Sequence, residues 1–389
     1  MRSEPNYNTI PVGQLGIIAL PGCEELANKI DNYLIRWRFQ RNSEHKDTLA
    51  FAGYEKSTYL INMDFPRFGT GEGKAALNQT VRGYDIYILC DVFNYGVTYK
   101  MYGITVPMSP DEHFANLKRA ISAIEGKAKR VSVIMPMLYE GRQHKRSSRE
   151  SLDCAMMLQE LHNMGVENFI TFDAHDPRVM NAIPLCGFES ISPAYQMIKA
   201  AVNNVDNLKI NKDNIMIISP DEGGMSRCIY YSTVLGVELG MFYKRRDFSR
   251  IVDGRNPIIA HEFLGDNVEG KDVIIVDDMI SSGESMIEVA TKLKELKAAR
   301  IYIFSAFGLF CNGFDAFDKA FQEGIIDRVF TTNLIYGTPE LLSKDWYIRV
   351  DMSKYLSYII DTLNHDTSIS DLLDPAEKIN TLLEKKGLK

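Results

Sequence analysis

The sequence predicts an α/β protein whose sheets are mainly parallel and are flanked by helices. Short apolar runs, which are typical of buried strands, alternate with amphipathic helical patterns along most of the chain. Strands that are joined by crossover helices form parallel sheets, because the helices then cover both faces. The length of 389 residues exceeds one domain of ordinary size and indicates two.

The pattern places the elements in turn. The candidate strands lie at residues 16–19, 59–63, 85–89, 131–135, 169–173, 215–218, 238–242, 273–276, 300–304 and 328–332. The candidate helices lie at residues 24–37, 111–123, 148–164, 193–202, 285–297 and 314–321. A polar stretch at residues 202–214 is the best surface connection, so the first domain is expected to end before it or inside it.

Composition argues against several classes of function. The net charge is −7 and no block of like charges stands out, so a nucleic-acid partner is not expected. None of the six cysteines forms a Cys-x-x-Cys pair, so neither a zinc site nor a disulfide framework is indicated. The N-terminus lacks the apolar core of a signal peptide, and no apolar run approaches the ~20 residues of a membrane helix. We therefore expect a cytoplasmic protein with no membrane partner.

Residues 273–285 are the most informative segment. They comprise a predicted strand, two adjacent acids, a loop of small polar residues and the start of a predicted helix. A helix N-terminus directs N–H groups and a positive dipole at one point, which suits a phosphate. Asp277 and Asp278 would repel a phosphate, so they suit hydroxyls or a metal beside it, and the combination describes a ribose phosphate. The alternative is an ordinary strand-to-helix turn capped by Ser281 or Ser282, although the segment has neither a Walker A ending nor a dinucleotide fingerprint.

This segment resembles the phosphoribosyl-diphosphate loop of type I phosphoribosyltransferases and of ribose-phosphate diphosphokinases. Further segments resemble the diphosphokinases and follow in that family's order. They are Arg67–Glu72, Arg142-Gln143, Phe172–His175, Ser219–Gly224, Lys244–Arg246 and the ending between Val350 and Leu373. The chain is thus similar to ribose-phosphate diphosphokinases over roughly residues 15–373.

The resemblance implies two phosphoribosyltransferase-like domains of type I, at residues 1–205 and 206–373, with the last helix packing on the first domain. Residues 374–389 extend past the family's usual ending and have the pattern of a short amphipathic helix. The implied activity converts ATP and ribose 5-phosphate into AMP and 5-phosphoribosyl 1-diphosphate. The implied cofactor is Mg²⁺, and the implied assembly is a homo-oligomer built of dimers, up to a hexamer.

Transfer of a diphosphoryl group to a sugar hydroxyl needs neutralised phosphates, a positioned hydroxyl and a cation at the charge that develops. The resemblance assigns catalytic roles to Lys244, Arg246 and His175. It assigns Mg²⁺ binding to His175 and Asp221. ATP binding is assigned to Arg142, Gln143, Phe68 and Glu72, the last two acting from a neighbouring subunit.

The remaining assignments concern ribose 5-phosphate. Asp277 and Asp278 would accept hydrogen bonds from the 2- and 3-hydroxyls of the sugar. The 5-phosphate would be bound by the backbone N–H groups and hydroxyls of the loop, which contains Ser281, Ser282, Gly283 and Ser285.

Several positions depart from the family pattern. His144 stands where the family has Asp, and Thr70 stands where its adenine loop has an acid or an amide. In the ribose loop, Ser281 replaces Asp and Glu284 replaces Gly, so that a negative charge is added beside the phosphate. These changes leave open a non-catalytic regulatory homologue. The second alternative is a phosphoribosyltransferase, which would share only the ribose-phosphate loop.

Overall fold

The computed structural model describes residues 9–42, 53–246 and 258–388, and for residues 42, 244–246 and 258–261 it describes the backbone only. The chain divides into two compact units. Unit 1 consists of residues 1–192, 333–336 and 351–373, and unit 2 consists of residues 193–332, 337–350 and 374–389. None of the helices in the described ranges is long and apolar enough to cross a membrane.

The strands of the described residues are β1 (Gln14–Ala19), β2 (Met63–Asp64), β3 (Ala76–Leu77), β4 (Tyr84–Leu89), β5 (Thr98–Met101), β6 (Ile104–Pro107), β7 (Arg130–Ile134), β8 (Asn168–Phe172), β9 (Gly187–Ile191), β10 (Ile215–Ser219), β11 (Glu238–Arg246), β12 (Ile258–Leu264), β13 (Asp272–Ile280), β14 (Ile301–Gly308), β15 (Arg328–Thr332) and β16 (Tyr347–Val350). The helices are α1 (Glu24–Asn42), α2 (Pro110–Ile124), α3 (Asp153–Asn163), α4 (Ala194–Asn204), α5 (Met225–Leu235), α6 (Glu284–Glu295), α7 (Asp315–Gln322), α8 (Pro339–Leu342), α9 (Ser353–Asn364), α10 (Ser370–Leu373) and α11 (Ala376–Lys385).

Unit 1 is built on a five-stranded parallel sheet in the order β1-β4-β7-β8-β9. Its central strands are apolar and almost completely buried, as expected for a sheet that is covered on both faces. Helix α2 begins at a capping box in which Ser109 and Glu112 satisfy each other's backbone N–H groups. Helix α1 packs against α9, so residues far apart in sequence complete this unit.

Unit 2 is built on a seven-stranded sheet in the order β12-β11-β10-β13-β14-β15-β16. All neighbours are parallel except the edge strand β12, which pairs antiparallel with β11. The three central strands carry long Ile/Val-rich runs that are buried throughout their first halves. Helix α11 packs on α4 and α5 with Ile379 and Leu383 fully buried, so the C-terminal extension belongs to this unit.

Nine of the ten predicted strands and all six predicted helices are present, so the predicted α/β class is confirmed. The prediction of a strand at residues 59–63 is wrong for all but its last residue, Met63, which begins the two-residue strand β2. The N–H of Tyr59 is bound by the Asp31 carboxylate at 2.7 Å, and the segment meets β1 only through an isolated bridge at Leu60. Helix α3 begins at Asp153 and not at residue 148, because the preceding serines and Glu150 bond to one another in a turn.

Candidate active site

The two acids of the predicted ribose segment lie inside a strand. The sequence pattern had instead predicted that the strand ends at residue 276, just before them. Strand β13 continues to Ile280 because β14 runs beside it in parallel register as far as Gly308. Asp277 lies opposite Ser305, and Ile280 lies opposite Gly308. Pairing with a long neighbouring strand therefore outweighs the poor strand propensity of two consecutive aspartates.

Asp277 and Asp278 form an acid pair with a cation beside it, and the Asp277 side chain is partly exposed. Asp278 is 4% exposed, and its N–H donates to Asp277 Oδ1 at 2.9 Å. Burial and the charge of Asp278 raise the pKa of Asp277 well above its usual range, while Arg227 acts in the opposite direction. The Arg227 Nη1 lies 3.6 Å from Asp277 Oδ1.

Sequence reasoning missed Arg227. It stands in the first turn of α5, three residues after the Gly-Gly pair of the turn at residues 219–224. A single arginine at the N-terminal end of a helix, where an acid is electrostatically favoured, was the signal that could have identified it.

The loop between β13 and α6 presents a group of backbone donors. The N–H groups of Ser282, Gly283, Ser285 and Met286 donate to no other described residue, and the first helical bond runs from the Ile287 N–H to the Gly283 carbonyl. These donors and the positive end of the α6 dipole suit an anion. The predicted phosphate loop therefore has the donors that a phosphate requires.

Gly283 shapes this loop. Its φ is +85°, and a Cβ at this position would lie 2.2 Å from Phe317 Cε2. Both the backbone conformation and the close approach of Phe317 therefore require glycine. The turn brings Ser282 close enough for its Oγ to accept from the Glu284 N–H at 3.4 Å.

Glu284 occupies the first position of α6. Its Oε1 accepts a hydrogen bond from Asn312 Nδ2 at 3.2 Å. A carboxylate is stabilised at a helix N-terminus, and there it also repels a second anion. Asn312 thus holds the negatively charged carboxylate of Glu284 next to the predicted phosphate loop.

Asp221 lies in the turn that follows β10. Its Oδ1 accepts from the N–H groups of Gly223 and Gly224 at 2.9 and 3.2 Å, while the Ser219 Oγ–H donates to the Asp221 carbonyl at 2.7 Å. One carboxylate oxygen therefore builds the turn, as expected for aspartate in this position. The other oxygen, Oδ2, is hydrogen-bonded to no described residue.

In unit 1, Arg142 and Gln143 line a pocket of about 710 Å³. The Gln143 N–H donates to the Glu140 carbonyl at 2.8 Å, which fixes the turn after β7. The other lining residues are Asp111, Tyr139, Glu140, His144, Lys145, Ser147, Glu150, Ser151 and Asp153. Burial and the charges of Asp153 and Asp111 raise the pKa of Glu140.

His175 lies three residues after β8 and close to His144, with the two ring centroids 5.3 Å apart. His144 Nε2 is 3.5 Å from Asp176 Oδ2, and the Arg178 guanidinium also contacts this carboxylate. Burial lowers the pKa of His144, which favours its neutral form. The structure thus brings the segment of Arg142 and Gln143 together with that of His175. Within the described ranges, no three His, Cys, Asp or Glu side chains are grouped as a complete metal site.

The Arg67–Glu72 loop is closed by its own hydrogen bonds. The Phe68 N–H donates to the Glu72 carbonyl at 2.8 Å, and the Gly71 N–H donates to the Phe68 carbonyl at 2.9 Å. The Thr70 hydroxyl donates to Glu72 Oε2 at 2.9 Å. The Phe68 ring is 55% exposed. Phe68 and Glu72, the two residues predicted to bind adenine, thus lie on one loop that is closed by hydrogen bonds, and Thr70 orients the Glu72 carboxylate.

The prediction that the strand beginning at residue 238 ends at residue 242, before Lys244 and Arg246, is wrong. They are among the last residues of β11 and lie opposite His261 and Ile258 of β12. The edge strand β12 was not predicted, so the length of β11 was underestimated. The side chains of Lys244 and Arg246, and the whole of residues 247–257, lie outside the described part of the chain.

Comparison with known proteins agrees with this geometry. Residues 15–165 match the family model of the N-terminal domain of ribose phosphate pyrophosphokinase. Residues 188–308 match the phosphoribosyl transferase domain, and residues 250–374 match the phosphoribosyl synthetase-associated domain. The matches together cover most of the chain and end just before α11.

Individual relatives agree with the family models. The chain is 26% identical to the ribose-phosphate pyrophosphokinase of Vibrio parahaemolyticus over 313 residues, which cover 79% of this chain and 90% of the relative. It is 27% identical to that of Shewanella oneidensis over 307 residues, covering 78% and 88%. The fold is similar to that of phosphoribosylpyrophosphate synthetase from Mycobacterium smegmatis, with a TM-score of 0.71, 18% identity and coverage of 91% of this chain and 99% of that one. This chain therefore belongs to the ribose-phosphate pyrophosphokinase family.

Proposed function

We propose that the protein transfers the diphosphoryl group of ATP to the 1-hydroxyl of ribose 5-phosphate, giving AMP and 5-phosphoribosyl 1-diphosphate. The observation that supports this most is the ribose segment of unit 2. The N–H donors at the start of α6 lie a few residues beyond the Asp277–Asp278 pair, so one short segment offers donors for a phosphate and acceptors for vicinal hydroxyls.

On this proposal Asp277 and Asp278 accept hydrogen bonds from the 2- and 3-hydroxyls. The N–H groups of Ser281 to Ser285, with the Ser282 and Ser285 hydroxyls, bind the 5-phosphate, and Gly283 gives the loop its shape. Glu284 weakens phosphate binding by its charge. The departures from the family pattern preserve hydroxyl groups in this loop, which supports a retained sugar-phosphate site.

Arg142 and Gln143 are proposed to bind ATP in the pocket of unit 1, where a guanidinium can stack on adenine and contact phosphate. His175 adjoins this segment through His144. Lys244 and Arg246 are proposed to stabilise the negative charge that develops as the diphosphoryl group leaves AMP.

The proposed cofactor is Mg²⁺, and His175 in unit 1 and Asp221 in unit 2 are each proposed as ligands. Asp221 fits this role, because one of its carboxylate oxygens maintains the turn while the other is engaged by no described residue. Magnesium usually takes one or two carboxylates together with water and substrate phosphates. When bound, it would neutralise phosphate charge.

A phosphoribosyltransferase is the less favoured alternative, because that function would not explain why residues 15–165 match the N-terminal domain of ribose phosphate pyrophosphokinase. A non-catalytic homologue is disfavoured by the presence of Lys244, Arg246, His175 and Asp221. The test is to incubate the purified protein with Mg²⁺, ATP and ribose 5-phosphate and to quantify AMP and 5-phosphoribosyl 1-diphosphate. Nucleotide binding without equimolar formation of both products would favour the regulatory homologue.

We predict that Asp221→Asn raises the Mg²⁺ concentration needed for half-maximal activity. Asparagine retains the oxygen that accepts from Gly223 and Gly224, so the turn persists while the charge is lost. His175→Ala is expected to have the same effect. A magnesium titration of each variant measures this, with the exposed neighbour substitution Glu222→Gln as control. Unchanged titrations for both variants would assign purely structural roles to these residues.

We further propose that the active form is a homo-oligomer in which Phe68 and Glu72 complete the adenine site of a neighbouring subunit. The exposed side chain of Phe68, on a loop that is closed by its own hydrogen bonds, supports a contact with a neighbouring subunit. Co-expression of an inactive Phe68→Ala/Glu72→Ala chain with an inactive Lys244→Ala chain should restore part of the activity, since some mixed sites carry neither defect. If the two chains co-purify through separate tags and remain inactive, the adenine site is formed within one chain.

A further inference from the structure

We propose that Arg227 is a positioning residue for ribose 5-phosphate: its guanidinium compensates the charge of the Asp277–Asp278 pair and holds Asp277 where it accepts hydrogen bonds from the sugar hydroxyls. This inference rests on the proposed function. It concerns a residue that the sequence pattern did not identify and that lies outside the segment predicted to bind the sugar.

The first argument is electrostatic. Two adjacent carboxylates, one of them 4% exposed, cannot both carry full charge in a poorly solvated site without a cation. Arg227, whose side chain is 14% exposed, faces Asp277 at 3.6 Å from the first turn of α5. Burial and Asp278 favour the protonated form of Asp277, and the guanidinium favours the ionised form, which is the better hydrogen-bond acceptor.

The second argument comes from a comparison within β13. At the start of the strand, Asp272 forms a pair with Arg300 in which Nε and Nη2 donate at 3.0 and 2.6 Å, and Arg300 also donates to the Asp206 carbonyl. The hydrogen bonds of Arg300 to the Asp272 carboxylate and to the Asp206 carbonyl stabilise the fold. The Arg227–Asp277 distance is too long for a hydrogen bond, so this pair contributes charge and orientation without saturating the carboxylate.

The third argument is the position of the two segments that carry Arg227 and Asp277. Arg227 follows the turn that carries Asp221, and Asp277 precedes the loop whose N–H groups are proposed to bind the phosphate. Strands β10 and β13, which lead into these two segments, are neighbours in the sheet. The contact between Arg227 and Asp277 thus joins the metal-binding turn to the sugar-binding segment of the proposed site.

The test is calorimetric titration of full-length protein with ribose 5-phosphate, combined with steady-state kinetics. Arg227→Gln is expected to weaken ribose 5-phosphate binding about ten-fold, with a matching rise in KM, while ATP affinity is unchanged. Arg227→Lys keeps the charge and loses the planar fork, so an intermediate affinity is expected. Adding Arg227→Gln to an Asp277→Asn variant should cost little more, because the arginine acts through that carboxylate.

Arg300→Gln is the matched control, since it removes the ion pair at the other end of the same strand. It is expected to lower the unfolding temperature and leave ribose 5-phosphate affinity unchanged. Unchanged affinity in Arg227→Gln, or an equal loss in Arg300→Gln, would overturn the inference. Folded, unaltered protein that binds no ribose 5-phosphate would instead refute the proposed function, and this inference with it.

Discussion

Replacing Asp361 by alanine is expected to lower the free energy of unfolding of unit 1 by about 3–5 kcal/mol. Asp361 is fully buried in α9 and accepts from Arg38 Nε and Nη2 of α1 at 3.0 and 2.9 Å. Arg41 also donates to it. Arg38 is 1% exposed, so the substitution leaves a guanidinium buried without its counter-charge.

The pair also predicts a dependence of stability on pH. Burial alone would raise the pKa of Asp361, but the charges of Arg38 and Arg41 lower it below its usual value. A carboxyl whose pKa is lowered by folding stabilises the protein above its unfolded pKa of about 3.9. This contribution is lost as the pH falls from there through the pKa of the folded state, and it is absent from the Asp361→Ala variant.

Urea unfolding followed by tryptophan fluorescence measures this effect. The chain has two tryptophans, and a Trp346→Phe background leaves Trp37, which stacks on Tyr358 of α9 at 4.3 Å, as the reporter of unit 1. Glu160→Ala is the control, because it breaks a surface pair with Lys118 at 2.9 Å that is worth about 0–1 kcal/mol. A loss for Asp361→Ala no larger than that of the control would contradict the proposed role of the buried network.

Lys244→Ala and Arg246→Ala are each expected to lower turnover ~10²–10³-fold while ATP affinity changes little. The proposed contacts act mainly on charge that develops in the transition state, so their loss affects kcat more than binding. The measurement is kcat and the dissociation constant of ATP for each variant. Lys292→Ala, in the last turns of α6, controls for the loss of a lysine charge. Near-native turnover in both variants would exclude the catalytic assignment.

The elements that sequence patterns predicted well are those encoded by a single run of residues. Strands β10 and β14 consist of apolar runs that are buried whatever their neighbours are. The loop between β13 and α6 was also predictable, because small residues, a glycine and the start of an amphipathic helix occur together within a few positions. Gly283 then proved to be required both by its φ and by the contact with Phe317.

The features that sequence patterns missed depend on a distant partner. Asp277 and Asp278 lie in a strand only because β14 continues beside them, and Lys244 lies in a strand because β12 pairs with it. Arg227 faces Asp277 only because α5 places it against β13. None of these contacts leaves a periodic signal in the segment that contains the residue.

By itself, the sequence determined the α/β class, the alternation of strands and helices, and the loop that precedes α6, because burial of apolar runs and the chemistry of a tight turn are local properties. The tertiary structure decided where strands end, which cation faces the acid pair, and that residues 351–373 complete unit 1. Residues 351–373 are joined to unit 1 by the contact of Arg38 with Asp361, which are 323 positions apart in the chain. Pairing of strands and compensation of buried charge are set by residues far apart in sequence, and only the folded chain brings them together.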